Sequence, residues 1–158
     1  NLISRSTAAH STLILNNKSI VTFKKNFKGK ILNKFNFDIL NKNIVQEVLY
    51  YFSESVQNAY SNGINDVIID PGFGFGKTLE HNFELLKNLD LFKSLELPVL
   101  VGISRKSMIY KKLGISPDEA LNGTTVLNTL ALLKGVNILR VHDVKQTKES
   151  IELLQALQ

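Results

Sequence analysis

The stretch "VIIDPGFGFGKT" (residues 67–78) decides how the rest of the chain is read. A short apolar run ends in an acid, and three glycines and a Lys-Thr pair follow. Phosphate cradles often begin this way, but the spacing excludes both common forms. A P-loop places a glycine five residues before its Gly-Lys-Thr, and that position here is Pro71. The dinucleotide pattern G-x-G-x-x-G fails as well, because Lys77 and Leu79 stand where its third glycine belongs. What remains is a strand ending at Asp70, a flexible glycine loop carrying Phe73 and Phe75, and a helix beginning near Leu79.

Downstream the same unit repeats. Residues 44–62 carry apolar positions at helical spacing (Val45, Val48, Leu49, Phe52, Val56, Ala59), and Asn62-Gly63 stops the helix. "DVIID" (66–70) reads as a strand, 79–93 as a helix burying Leu79, Phe83, Leu86 and Leu89, and "VLVGI" (99–103) as a second strand. "SPDE" (116–119) resembles a capping box with Ser116 as N-cap and Glu119 at the third helical position. A helix is expected within 117–135, with a possible break at Gly123. "NILRV" (137–141) is a third strand, and 145–157 a last amphipathic helix through Ile151, Leu154 and Leu157. "STLIL" (11–15) is a candidate earlier strand of the same series. Strands alternating with helices imply βα units, a parallel sheet and an α/β fold, with strands apolar on both faces.

Bulk properties narrow the class. The chain has 158 residues, enough for one domain with its own core, at 44% hydrophobic and 21% charged content. There are no cysteines, which removes disulfides, thiolate metal sites and cysteine nucleophiles and suits a reducing compartment. No apolar run is long enough to span a membrane. The chain begins with Asn1, as a processed or partial sequence does. The net charge of +5 is uneven: residues 1–43 hold eight basic residues and one acid, Asp38. Phe23, Phe27, Phe35 and Phe37 lie among those lysines, a pattern that could serve nucleic acid. No nucleic-acid-binding motif accompanies it, so a solvated Lys/Asn-rich segment is the expected reading, without a nucleic-acid partner.

The strand ends carry the chemistry. In a parallel βα array every strand C-terminus points to one edge, so residues there converge whichever strand they come from. Asp70 closes the first strand, Ser104, Arg105 and Lys106 follow the second, and Arg140 and His142 end the third. Arg140 and His142 are two apart and share a face. One carboxylate, three cations, a hydroxyl and an imidazole suit an anion held beside a polar heterocycle. The glycines allow close backbone approach, and Phe73 or Phe75 offers an aromatic wall. Asp143 is expected to cap the last helix. No covalent nucleophile or metal-ligand spacing is visible; His10, His81 and His142 are far apart.

"IDPGFGFGK" (69–77), "VGISRKSMI" (101–109), "NGTTV" (122–126) and "RVHDV" (140–144) together resemble the dihydropteroate synthase family, in its order and spacing over about residues 44–158. The resemblance implies a (β/α)₈ TIM-type barrel. With 158 residues against the ~200 or more of such a barrel, the chain is expected to cover about the last four βα units. It would then be a single domain over 1–158, with 1–43 basic and poorly matching and 44–158 bearing the motifs. The implied reaction condenses 6-hydroxymethyl-7,8-dihydropterin pyrophosphate with p-aminobenzoate to 7,8-dihydropteroate and pyrophosphate. Carried over, Asp70 binds the pterin, Lys106 lies between the two substrates, Phe75 and Gly76 border the aminobenzoate, and Ser104 meets its carboxylate. Arg105 joins the substrate contacts, and Arg140 and His142 hold the pyrophosphate. The resemblance also implies Mg²⁺, whose protein ligand has no counterpart here, a cytoplasmic location and a homodimer when complete. The family's first motif and its middle-strand pterin Asp and Asn are missing, and "LILNNKS" (13–19) stands where its fifth-strand Met-His segment would be. A methyltetrahydrofolate-dependent methyltransferase-type barrel and a non-catalytic half-barrel are the alternatives.

Overall fold

The computed structural model describes residues 14–15, 18–19 and 43–157. The basic segment with Phe23, Phe27, Phe35 and Phe37, and likewise His10, lies outside the described residues. The chain divides into two compact units, 1–68 and 69–158. The division falls inside the stretch expected to form the first strand.

In the first unit β1 (Ile14–Leu15) pairs antiparallel with β2 (Lys18–Ser19). Of the candidate strand at 11–15, only Ile14–Leu15 is described, and it has this local antiparallel partner. Helix α1 (Ile44–Ser61) follows the expected spacing and buries Ile44, Val45, Val48, Phe52 and Ala59. Asn43 caps it by accepting the Val45 N–H at 2.9 Å. At the other end Gly63 adopts φ 77°, a left-handed turn that glycine enters without steric cost.

The second unit contains a small parallel sheet flanked by helices. Ile69 bridges Val99, and β3 (Leu100–Val101) pairs with β4 (Ile138–Leu139), both in parallel. The first strand of this unit is thus reduced to a single paired residue. Its bonds are sound: the Ile69 N–H donates to Pro98 O at 3.0 Å and the Leu100 N–H to Ile69 O at 2.8 Å. Val99, Val101 and Ile103 alternate into the interior beside Ile69, Phe73 and Met108. Each such side chain contributes roughly 1.5–3 kcal/mol by leaving water. Burial on both faces was expected throughout, but Ile138 and Leu139 stay half-exposed. Among the described residues β4 is an edge strand, and the sheet does not close on itself.

The helices deviate where local bonds intervene. α2 (Leu79–Lys87) is shorter than expected: Asn88 turns its own amide onto Glu84 O at 2.9 Å, and the chain continues as a 3₁₀ helix, Leu89–Leu95. Leu85, unforeseen, is fully buried with Leu86 and Leu89, while Leu79 and Phe83 are only half-buried. α3 (Ser107–Leu113) ends at Gly114, which is left-handed. One half of the capping box is present, the Glu119 carboxylate accepting the Ser116 N–H at 2.9 Å; the Ser116 hydroxyl donates to the same carboxylate at 2.7 Å, and the Glu119 N–H goes to Ser116 O at 3.2 Å. Residues 116–120 nevertheless form turns, and α4 (Leu121–Leu133) starts five residues after the expected cap. It runs unbroken through Gly123, where a Cβ would collide with the buried Ile109. α5 (Val144–Gln155) stops short of Leu157, which is exposed. No helix of the described residues is long and apolar enough to cross a membrane.

Candidate active site

The glycine loop is organised around its own side chains. Asp70 Oδ1 accepts the Gly72 N–H at 2.9 Å. The buried Asn82 reaches back from α2, accepting the Gly74 N–H at 2.7 Å and donating to Thr78 O at 2.6 Å. The Phe75 N–H donates to Gly72 O, and Lys77 Nζ donates to Gly72 O at 3.0 Å and Phe75 O at 3.3 Å. The N–H groups of residues 72, 74 and 75 therefore point inward. A phosphate nest needs such groups free and convergent, so the spacing that excluded a nucleotide cradle has a structural counterpart. Phe73 is in the core, whereas Phe75 is 44% exposed and is the available aromatic face.

Lys106 lies against this loop. Its Nζ sits 4.4 Å above the Phe75 ring centre and donates a short hydrogen bond to Phe73 O. Gly74 permits the approach: a Cβ there would stand 2.9 Å from Lys106 Cδ, and its φ of 77° disfavours a side chain in any case. Burial lowers the Lys106 pKa to about 8, against an opposing pull from Asp70, with Arg140 and Lys77 adding to the depression. Burial likewise lowers Lys77 to about 8.

Asp70 Oδ2 accepts Arg140 Nη2 at 3.2 Å, joining the ends of the first and third strands across the second. Gly102 makes this crossing possible, because a Cβ there would lie 2.7 Å from Arg140 Nη2 and 3.0 Å from Nε. Beside it, buried Ser104 faces His142, with Oγ and Nδ1 3.0 Å apart. The His142 N–H also donates to Ser104 Oγ at 3.2 Å. With Oγ accepting that N–H, its own proton is free to donate to Nδ1, a pairing that leaves Nε2 as the imidazole donor.

Arg105 goes elsewhere. Its Nε and Nη2 bind both oxygens of Asp143 at 3.1 and 2.7 Å, and Nη1 meets the exposed Asp118 at 3.2 Å. Asp143 does stand at the N-cap position of α5 but makes no side-chain capping bond, because its carboxylate is held by Arg105. That corrects the expected capping role. The hydrogen bond from Arg105 also draws the Asp143 carboxyl below the usual range.

Six of the expected side chains thus gather at the C-terminal ends of the strands as linked pairs, Asp70 with Arg140, Lys106 with Phe75, and Ser104 with His142, whereas Arg105, expected among the substrate contacts, is engaged by Asp143 and Asp118. Gly76 is in the same loop, left-handed at φ 60°. Lys77, Asn82, Gly102 and Asp143 also build the site, beyond the residues expected from the sequence. Gly102, a glycine inside a strand, carried a signal of close approach; the others had none at short range. A shallow groove lined by Lys93, Pro98, Gly135 and Asn137 lies at the strand starts, away from this set. Among the described residues no ready-made cluster for the implied magnesium ion is present. No three acids or histidines cluster among the described residues, and Asp70 is engaged by Gly72 and Arg140.

A parallel α/β unit with cations and an aromatic face at its strand ends has the features of a small-ligand site. Residues 27–142 match the model of the pterin binding enzyme family, and the chain belongs to that family. It is 44% identical over 115 residues to dihydropteroate synthase of Escherichia coli strain K12, covering 72% of this chain and 41% of that one. For the Haemophilus influenzae enzyme the identity is 42% over 117 residues, with 73% and 42% covered. Among solved structures it resembles Yersinia pestis dihydropteroate synthase (TM-score 0.72, 36% identity, 74% of this chain and 49% of that). The Thermus thermophilus enzyme in complex with 4-aminobenzoate is similar (TM-score 0.71, 41% identity, 75% and 46%). The chain spans less than half the length of these relatives. Its fold is accordingly of the TIM-barrel class, of which it covers a part.

Proposed function

We propose that this chain supplies the last four βα units of a dihydropteroate synthase barrel, with residues 44–158 carrying its half of the active site. The carrying observation is that Asp70, Lys106 and Arg140 meet at one rim with Phe75 and the Ser104–His142 pair alongside. Asp70 accepts the paired N–H donors of the aminopterin ring. Lys106 stands between the pterin and the arylamine, whose ring lies on Phe75 beside Gly76. Ser104 contacts the aminobenzoate carboxylate.

In the reaction the bond from the pterin methylene carbon to the diphosphate oxygen breaks, and the arylamine nitrogen forms a bond to that carbon and loses a proton. Arg140 and His142 receive the charge that develops on the diphosphate. These side chains orient the partners and stabilise charge; none needs to become covalently attached. The anion clamp favours this reaction over methyl transfer, which releases no diphosphate. The location is read as the cytoplasm, consistent with the lack of cysteine. A homodimer is supported by the exposed apolar stripe Val126, Leu130 and Leu133 on α4.

The test supplies the purified complete protein with both substrates. Dihydropteroate and pyrophosphate should form in equal amounts. A folded protein that makes neither would overturn this reading and leave a non-catalytic half-barrel in its place.

A further inference from the structure

Arg105 stands between Ser104 and Lys106, yet its own head group turns away from both. It is a non-glycine residue at φ 54°, a left-handed conformation that persists only when its surroundings hold it. Two holds are present. Its N–H donates to Oγ1 of the fully buried Thr124 at 3.0 Å. Its guanidinium grips Asp143 through two parallel bonds, the geometry in which an Arg–carboxylate pair is most directional.

Asp143 follows His142 directly and forgoes capping α5 to make this pair. The pair is sheltered, with the side chains 29% and 12% exposed, whereas Asp118, the second partner, is 95% exposed. One bracket therefore ties the loop of Ser104 and Lys106 to the strand end of His142. It sits next to the Ser104–His142 hydrogen bond, which spans the same two segments.

Resting on the synthase reading, we propose that the Arg105–Asp143 pair is a positioning device: it fixes the Ser104–Lys106 loop against His142, so that the diphosphate and arylamine subsites keep one separation, and Arg105 itself touches neither substrate. The left-handed turn at Arg105 sends its two neighbours to different tasks, Ser104 to His142 and Lys106 to the Phe75 loop. The ion pair keeps that turn in place.

The test uses the complete protein with Arg105→Met, Asp143→Asn, both together, and the exchanged pair Arg105→Asp with Asp143→Arg. Each single change should lower kcat by about ten- to a hundredfold, the scale of a small misplacement of reacting groups. KM for p-aminobenzoate should change by less than about threefold, and the double variant should be no worse than either single one. The exchanged pair, with aspartate tolerated at a left-handed position, should recover part of the loss. Asp118→Asn should stay within about twofold. A ¹⁵N spectrum of the histidine side chains gives a readout that does not need turnover. In Asp143→Asn the His142 Nδ1 signal should shift toward that of a ring without its serine partner, while His81 should not move.

A rise in KM for p-aminobenzoate on Arg105→Met, with Asp143→Asn silent, would show direct substrate contact and overturn the proposal. Additive losses in the double variant, or an unmoved His142 signal, would do the same. An inactive wild type whose His142 signal still responds would count against the synthase reading and leave the bracket standing.

Discussion

The glycine loop at 70–78 and the rim formed by 104–106 with 140–143 are built in opposite ways. The loop holds itself by bonds between near neighbours in sequence: Asp70 to Gly72, Lys77 to Gly72, Asn82 to Gly74. The rim is held by bonds between distant segments: Ser104 to His142, Arg105 to Asp143, Asp70 to Arg140. Local bonds give the first region a shape before any ligand arrives. Long-range bonds give the second its charge arrangement, which exists only once three strands lie in register. The two regions meet at Lys106, whose backbone belongs to the rim and whose ammonium belongs to the loop.

Changes at that meeting point should have the largest effect. Lys106→Ala and Arg140→Ala should each lower kcat/KM for dihydropteroate formation by ~10²–10³-fold or more, the scale of removing one preorganised charge from a transition state. Near-normal turnover in steady-state assays would take that residue out of the site. Gly102→Ala comes next. The added methyl displaces the Arg140 guanidinium from Asp70 without removing either charge, and about a ten- to hundredfold loss is expected, mainly in KM for the pterin diphosphate.

Asn82→Ala breaks the loop and spares the rim. It leaves the Gly74 N–H and Thr78 carbonyl without their partner, so a denaturant titration should show about 1–3 kcal/mol lost. The smallest effect is in pH dependence. Lys77 and Lys106 are lowered from 10.5 to about 8. Between about pH 8 and 10.5 the unfolded chain keeps protons that the folded chain has released. These two lysines therefore favour folding increasingly as pH rises through that window, and below about 8 their burial penalty is present in full. Relative to Lys77→Met, wild-type stability should gain over that range. If Lys106 acts as a cation, turnover should fall above about pH 8, and Lys106→Arg should abolish that limb.

How much the sequence revealed follows the same division. α1 was legible because the apolar spacing and the Asn62-Gly63 stop agree. The convergence of Asp70, Lys106, Arg140 and His142 was legible because parallel strands share an edge. "SPDE" misled because the Glu119 carboxylate accepts the Ser116 N–H in a turn as it would at a helix start. The fates of Arg105 and Asp143 were hidden, since each had a plausible local use and the actual partner lies 38 residues away. Gly102 lies between these cases: a glycine in a strand signals a close approach, but the group that approaches, Arg140, belongs to another strand.

The central claim is that the loop and the rim compose one ligand site. A crystal structure of the complete protein with dihydropterin pyrophosphate tests it most directly. The account predicts the pterin ring on Asp70 and Lys106 and the diphosphate on Arg140 and His142, with the Arg105–Asp143 pair intact beside them. A ligand bound at a different part of the protein, with those four side chains out of its reach, would contradict it.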